Sequence, residues 1–286
     1  MTEDTKKTEG TVEAAAVAEN ANDAVVQGRG FTMKRDWQTW IIVVAAFGAA
    51  LWGLVGPVGS GLGLWHFGAA ISGMFMSFWL CVGAAILGAL FVWLGKRSGK
   101  PRRPLLWLAI LVAVLYAGWL ANLASRADPK IHDISTDLAD PPQFKVLEER
   151  ADNWEAIPTD CRDNIASMTP KQRWKICHQD AYGDIRSVNV NMSVTDVIAK
   201  AERLANDRGW KIAALRPAEG RLEATDTTAL FRFKDDVVLR VRPTESGTGS
   251  IVDMRSVSRV GVSDLGVNAG RVRDFLADLS GTVTAE

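Results

Sequence analysis

The stretch "MRSVSRVGVSDLGVNAGRVRDFL", Met254 to Leu276, contains a change of period. Up to Val260 the residues alternate, with Asp253, Arg255, Val257 and Arg259 on one side and Met254, Ser256, Ser258 and Val260 on the other, which predicts a strand. From Asn268 the apolar spacing becomes helical: Val272, Phe275, Leu276 and Leu279 fall on one face of an amphipathic helix. Gly261, Gly266 and Gly270 punctuate the passage between them, and Asp264 and Asn268 have the side chains that organise a strand-to-helix turn. Its helix-start amides also have the makings of an anion holder.

Working backwards, "TESGTGS" reads as a turn, and "LFRFKDDVVLRVRP" as one long bent strand or two strands broken near Lys234 to Asp236. "WKIAAL" and "RLEATDTT" flank "RPAEG", a hairpin signature. "SVTDVIAKAERLANDRG" is a capped helix, with Ser193 and Asp196 at its start and Gly209 at its end. "DIRSVNV" adds a strand before it. Strand, helix, about four strands and helix predict a two-layer α+β fold, a mainly antiparallel sheet with two helices on one face. No internal repeat and no phosphate-binding glycine loop is present.

Upstream the chain changes character. Between Trp40 and Leu123 the only Lys, Arg, Asp or Glu residues lie in "KRSGKPRR", Lys96 to Arg103. Three apolar segments, Trp40–Val58, Phe67–Leu94 and Pro104–Leu123, are each near or above the roughly 20 residues that cross a ~30 Å hydrocarbon core. Eight of the eleven tryptophans fall between Trp37 and Trp119. Those near segment ends suit interfacial anchoring, whereas Trp52 and Trp79 lie deeper and are expected to pack. A hairpin dipping part-way is the alternative for the first two segments. Ala84 and Gly88 form a small-xxx-small pair for close helix approach, and His66 marks the end of the first hairpin. No segment carries a charge that could move an ion.

Lys34, Arg35 and the basic second connection place both on the cytoplasmic side by the positive-inside rule. The expected organisation is a disordered cytoplasmic tail (1–39), a three-helix transmembrane region (40–123), a connector with few periodic signals (124–184) and an exported α+β domain (185–286). The tail lacks the features of a cleaved signal peptide. The expected location is a bacterial inner (plasma) membrane, with the C-terminal domain periplasmic or extracellular.

Cys161 and Cys177 lie sixteen apart in the exported part, so a disulfide and two free thiols are both open readings. They lack zinc-ligand spacing, and no metal or cofactor is expected. From residue 124 onward the chain has 23 Lys/Arg and 26 Asp/Glu, a balance that argues against nucleic acid.

"FRFKDDVVLRVRP", then "DMRSVSRVGVSDLGVNAGRVRDFL", with the earlier "KIHDISTDLADPPQF", resemble the DUF1499 family of uncharacterised bacterial and plastid proteins. Asp235, Asp236, Arg240, Arg255, Ser256, Ser258, Arg259, Asp264, Gly266 and Asn268 match the family's pattern, and the resemblance covers about Pro129 to Leu279. It implies membrane helices ahead of the domain, but no reaction.

Strand pairing would gather Arg240, Arg242, Arg255 and Arg259 on one face near Asp253. With Asn268 they are the candidate anion-binding residues, because guanidinium forks suit carboxylate and phosphate. The competing reading is a solvated sheet face laced by ion pairs of little worth. Asp264 and Gly266 are expected to be structural. His132, Asp133 and Asp137 are weak catalytic candidates, and His178, Asp180 and Asp184 form a similar group; neither has a known nucleophile or metal spacing. The leading expectation is a membrane-anchored envelope protein whose exported domain binds a protein partner, a further copy or a small anion in a structural or accessory role. The alternative is a tethered hydrolase or transferase with arginines holding an anionic substrate.

Overall fold

A computed structural model of the chain describes residues 37–98, 104–126, 130–155, 157–159 and 161–281. Most of the 1–39 tail, with Lys34 and Arg35, and part of the basic connection lie outside the described residues.

Three long helices come first: α1 (Trp37–Gly61), α2 (Phe67–Arg97) and α3 (Pro104–Ser125), each long and apolar enough to cross a bilayer. Their mutual contacts run along stripes of mostly small residues at three- and four-residue spacing, such as Thr39, Ile42, Ala46, Ala49 and Gly53 on α1 and Met74, Ser77, Cys81, Ala84 and Gly88 on α2. Lipid is as apolar as leucine, so close approach and dispersion, rather than water exclusion, hold such helices together. Two glycines make the closeness explicit. A Cβ on Gly53 would lie 1.6 Å from the Tyr116 hydroxyl, which hydrogen-bonds Ser77 Oγ at 2.8 Å. One on Gly88 would meet Ile110 of α3 at 2.7 Å.

The outward faces carry the bulky apolar side chains. Trp52 and Trp79, expected to pack, are instead 60% and 57% exposed on that lipid-facing surface. His66 caps α2, its Nδ1 accepting the Gly68 amide at 3.1 Å. Trp65 closes the α1–α2 turn by donating to the Gly56 carbonyl at 2.8 Å.

The second region is an α+β domain built on one open antiparallel sheet. Its elements are β1 (Asp133–Ser135), α4 (Pro170–Tyr182), β2 (Val188–Val190), α5 (Val194–Asp207), β3 (Lys211–Arg216), β4 (Arg221–Thr227), β5 (Lys234–Pro243), β6 (Ser250–Ser258) and α6 (Val267–Ser280). β6, β5, β4 and β3 run side by side. β1 and β2 share the far edge of β6 end to end, at Val257–Arg255 and Val252–Ser250 respectively. "LFRF" belongs to the β4–β5 turn, so the strand begins at Lys234. "RPAEG" forms a 3-10 turn at Pro217–Glu219, closed by Gly220 in the left-handed region.

Helices α5 and α6 cover one face, where Leu222, Ala224, Val237, Leu239, Val241, Val252 and Met254 are buried against Val197, Ile198, Ala201, Val272 and Phe275. Ser193 caps α5 by accepting the Asp196 amide at 3.2 Å. The 124–184 span, expected to be a connector, supplies a strand, a helix and the covering of the opposite face. α4, capped by the Thr169–Gln172 box, seals the outer edge of β1. Trp174 Nε1 donates to the Asp133 carbonyl at 2.8 Å, and the Ser135 amide donates to His178 Nε2 at 3.1 Å. Both groups lie on the edge of β1 that points away from β6, so α4 covers part of an edge that would otherwise be open to pairing.

Candidate functional site

The face opposite α5 and α6 gathers the predicted arginines. Alternation along β5 and β6 turns Val238, Arg240, Asp253, Arg255 and Val257 to this side, and the register puts Arg240 opposite Asp253 and Val238 opposite Arg255. At its centre, around Asp253 and Arg255, the face is not solvated. Residues 137–150 pass over it as a strap, and the arginines are turned onto carboxylates of the same chain.

Arg255 is the centre. It has no exposed surface, and its fork grips Asp133 through Nε–Oδ1 at 2.9 Å and Nη2–Oδ2 at 2.6 Å. Nη1 donates to Glu149 at 2.8 Å, and the rings of Phe144 and Trp154 lie 5.7 and 5.9 Å from the guanidinium carbon. Burial works against this cation, but Asp133 and then Glu149 outweigh it and hold the Arg255 pKa above its ordinary value. Asp133 also accepts from Asn153 Nδ2 at 2.8 Å, which fixes the amide so that Asn153 Oδ1 faces His132 Nε2 at 3.0 Å. His132 Nε2 is therefore the donor of that bond. His132, Asp133 and Asn153 are all fully buried.

Arg240 donates to Asp253 at 3.0 Å, Asp140 at 2.7 Å and Asp137 at 3.1 Å. Arg242, about half exposed, shares Asp253 at 2.8 Å. Asp253 itself has no exposed surface and takes a third bond from Ser187 Oγ. Arg259 forms a two-pronged pair with Asp236 at 2.7 and 2.8 Å. Four guanidinium groups thus meet six carboxylates: Asp133, Asp137, Asp140, Glu149, Asp236 and Asp253. The face carries no surplus of positive charge for an incoming anion.

One further clamp has the opposite polarity. Glu223, fully buried on β4, accepts the consecutive backbone amides of Lys145, Val146 and Leu147 at 2.8 to 2.9 Å. Burial opposes its charge, yet these amides and Arg221 hold its carboxyl below the usual range. The strap is therefore pinned by Arg240 near its start, Glu223 in the middle and Arg255 near its end.

Asn268 and the turn before α6 lie on the other side of the sheet. Asp264 accepts the Gly266 amide at 2.9 Å and the Asn268 amide at 2.6 Å, so the helix-start amides are occupied from within. Burial nevertheless pushes the Asp264 pKa up. Gly266, at φ 81°, makes the turn possible. The Asn268 side chain bonds Ser256, Ser258 and the His132 carbonyl. Beside it, Arg271 reaches Asp226 at 2.8 Å, Asp235 at 2.7 Å and Ser256 at 3.0 Å, and bonds Asn268 Oδ1.

His178 sits against α4's own Trp174 and Tyr182, with its Nε2 used by the Ser135 amide. Burial lowers its pKa to about 4, so it is neutral with the proton on Nδ1. Asp180 pairs with Arg162 and Asp184 with Arg273, which separates the three members of that group. Cys161 and Cys177 are joined in a disulfide, Cα to Cα 5.6 Å, tying the chain before α4 to the helix. Among the described residues, no cluster of His, Cys, Asp and Glu has the arrangement of a metal site.

Sequence reasoning missed Arg271, Glu149, Glu223 and Asn153. Arg271 had a signal, since it follows Asn268 by three and precedes Phe275 by four on the buried stripe of α6. Glu149 and Asn153 had none, because they lie in a stretch without period.

A sheet packed by two helices on one side and strapped by its own chain on the other, behind three membrane-length helices, defines a membrane-anchored α+β domain. The chain belongs to the DUF1499 family, described as a protein of unknown function: residues 133–279, a little over half of the chain, match it. The match begins at Asp133, the carboxylate that receives Arg255. No curated protein matches the sequence.

Proposed function

We propose that this is an inner-membrane envelope protein whose exported domain acts as a rigid accessory module and binds a protein partner. The observation that carries this reading is the internal pairing of Arg240, Arg242, Arg255 and Arg259, whose charges are matched by carboxylates of the same domain. A site for phosphate or carboxylate needs donors left unpaired or in excess. Here Arg240 and Arg255 hold the strap, Arg259 closes on Asp236, and a rigid outer surface is left for recognition.

The periplasmic placement rests on the basic connection after α2, where Lys96 and Arg97 end the helix, and on the Cys161–Cys177 bond, which suits an oxidising compartment. The N-terminus is then cytoplasmic.

Two measurements test the proposal. Reporter fusions after Arg103 and after Asp128 should read cytoplasmic and exported; the reverse pattern contradicts the topology. Photo-crosslinkers placed in cells at Val146, which is exposed on the strap, should trap one discrete protein adduct. An unaltered band at Val146 and at further exposed positions around the domain would count against the partner.

A further inference from the structure

The end of the sheet that meets the helices is unlike the rest of the domain. The β4–β5 turn, Thr228 to Lys234, reaches the outer ends of α1 and α2. A Cβ on Gly61 would lie 2.6 Å from the Leu230 carbonyl oxygen, and Phe233 meets Phe67 edge-on with ring centres 5.5 Å apart. Arg232 has φ 56°, an uncommon conformation for a residue with a Cβ. It places Phe231 and Phe233 face to face, stacked at 4.8 Å.

The loop after β6 lies alongside, since the Arg259 amide donates to the Lys234 carbonyl at 3.0 Å. It exposes Val260 and Val262, as the turn exposes Leu230. Leu62, Leu64 and Trp65 extend this apolar rim onto the α1–α2 connection. Neither 228–234 nor 259–263 contains an acidic residue. Arg232 and Lys234 are exposed, and no side-chain partner is found for either among the described residues. They contrast with the paired Arg240, Arg255 and Arg259.

We infer that this rim is a lipid-docking surface: Leu230, Val260 and Val262 enter the boundary between headgroups and acyl chains, and Arg232 and Lys234 contact lipid phosphate. The occupant follows from continuity. The rim begins where two membrane-length helices end, so the bilayer surface lies at that level. Apolar side chains flanked by unpaired cations are the composition that binds an anionic interface. Docking would hold the domain flat against the leaflet from which it emerges.

The test uses the full chain with Cys81→Ala, reconstituted in vesicles with and without phosphatidylglycerol. An environment-sensitive label is attached to Val262→Cys or, as control, to Ser246→Cys in the turn at the other end of β5 and β6. The label at 262 should be blue-shifted, quenched by lipids carrying a shallow nitroxide, and quenched several-fold less by aqueous iodide than the label at 246. Adding R232E and K234E should weaken lipid quenching at 262 in phosphatidylglycerol vesicles and leave it unchanged in phosphatidylcholine. Equal iodide access at both positions overturns the inference. So does protection from iodide without lipid quenching, which would mean that protein covers the rim. A charge reversal without effect would overturn the phosphate contact.

Discussion

Arg255 and Arg242 play different roles, although both are arginines facing the same side of one sheet. Arg255 is enclosed between Asp133 and Glu149, so removing it leaves buried carboxylate uncompensated. Truncation of one member of such a pair costs about 3–5 kcal/mol. Arg242 is 47% exposed and shares a carboxylate that Arg240 also satisfies; an exposed pair is worth at most about 1 kcal/mol. Denaturant unfolding followed by tryptophan fluorescence should therefore show Arg255→Ala strongly destabilised and Arg242→Ala close to the parent. Similar losses for both would contradict the assignment. His178 adds a pH signature. Its pKa falls from 6.5 to about 4 on folding, chiefly by burial, with the charges of Asp133, Asp184 and Arg273 as lesser influences. The unfolded chain then binds the extra proton between these values, so stability is full above pH 6.5 and declines as pH falls towards 4. A difference of that size amounts to on the order of 3 kcal/mol. Glu223 acts in the same sense and Asp264 in the opposite one. Melting midpoints of the parent and His178→Gln should converge on acidification as the parent loses this contribution; a constant gap would refute it.

Among the elements, legibility followed period and length. The three membrane helices were readable as long, uncharged apolar runs, and α5 with its Ser193 cap and α6 with its apolar stripe because each repeats one spacing over at least three turns. β5 and β6 were readable from alternation. β1 was not: three residues carry no period, and its pairing with β6 spans more than a hundred residues. The strap was unreadable for a related reason, since it is held by side chains reaching from β4, β5 and β6. Without it, the arginine face could be imagined only as solvated or as a cleft. Both readings missed a buried pairing whose second half lies in an aperiodic segment. Glu223 tests the strap as an element. Glu223→Gln keeps the shape but replaces a carboxylate that accepts three amides, a loss of about 1–3 kcal/mol. Hydrogen exchange should quicken at Lys145, Val146 and Leu147 more than in α5; uniform acceleration would mean that the strap is not separately pinned.

For the whole molecule, the distribution of charge divides the domain in two. Across the body of the sheet its arginines close a scaffold on carboxylates: Arg240, Arg255 and Arg259 on one side, Arg271 on the other. At the end that meets α1 and α2, Arg232 and Lys234 stand unpaired among apolar side chains. The first arrangement makes a rigid body, and the second supplies a surface by which that body can sit on its own bilayer. The arginine face of that body is a closed internal scaffold, its charges met from within. That closure is tested most directly by calorimetric titration of the full-length protein in a zwitterionic detergent with inorganic phosphate. The expected result is no saturable heat. Saturable binding that Arg240→Ala abolishes would contradict the account.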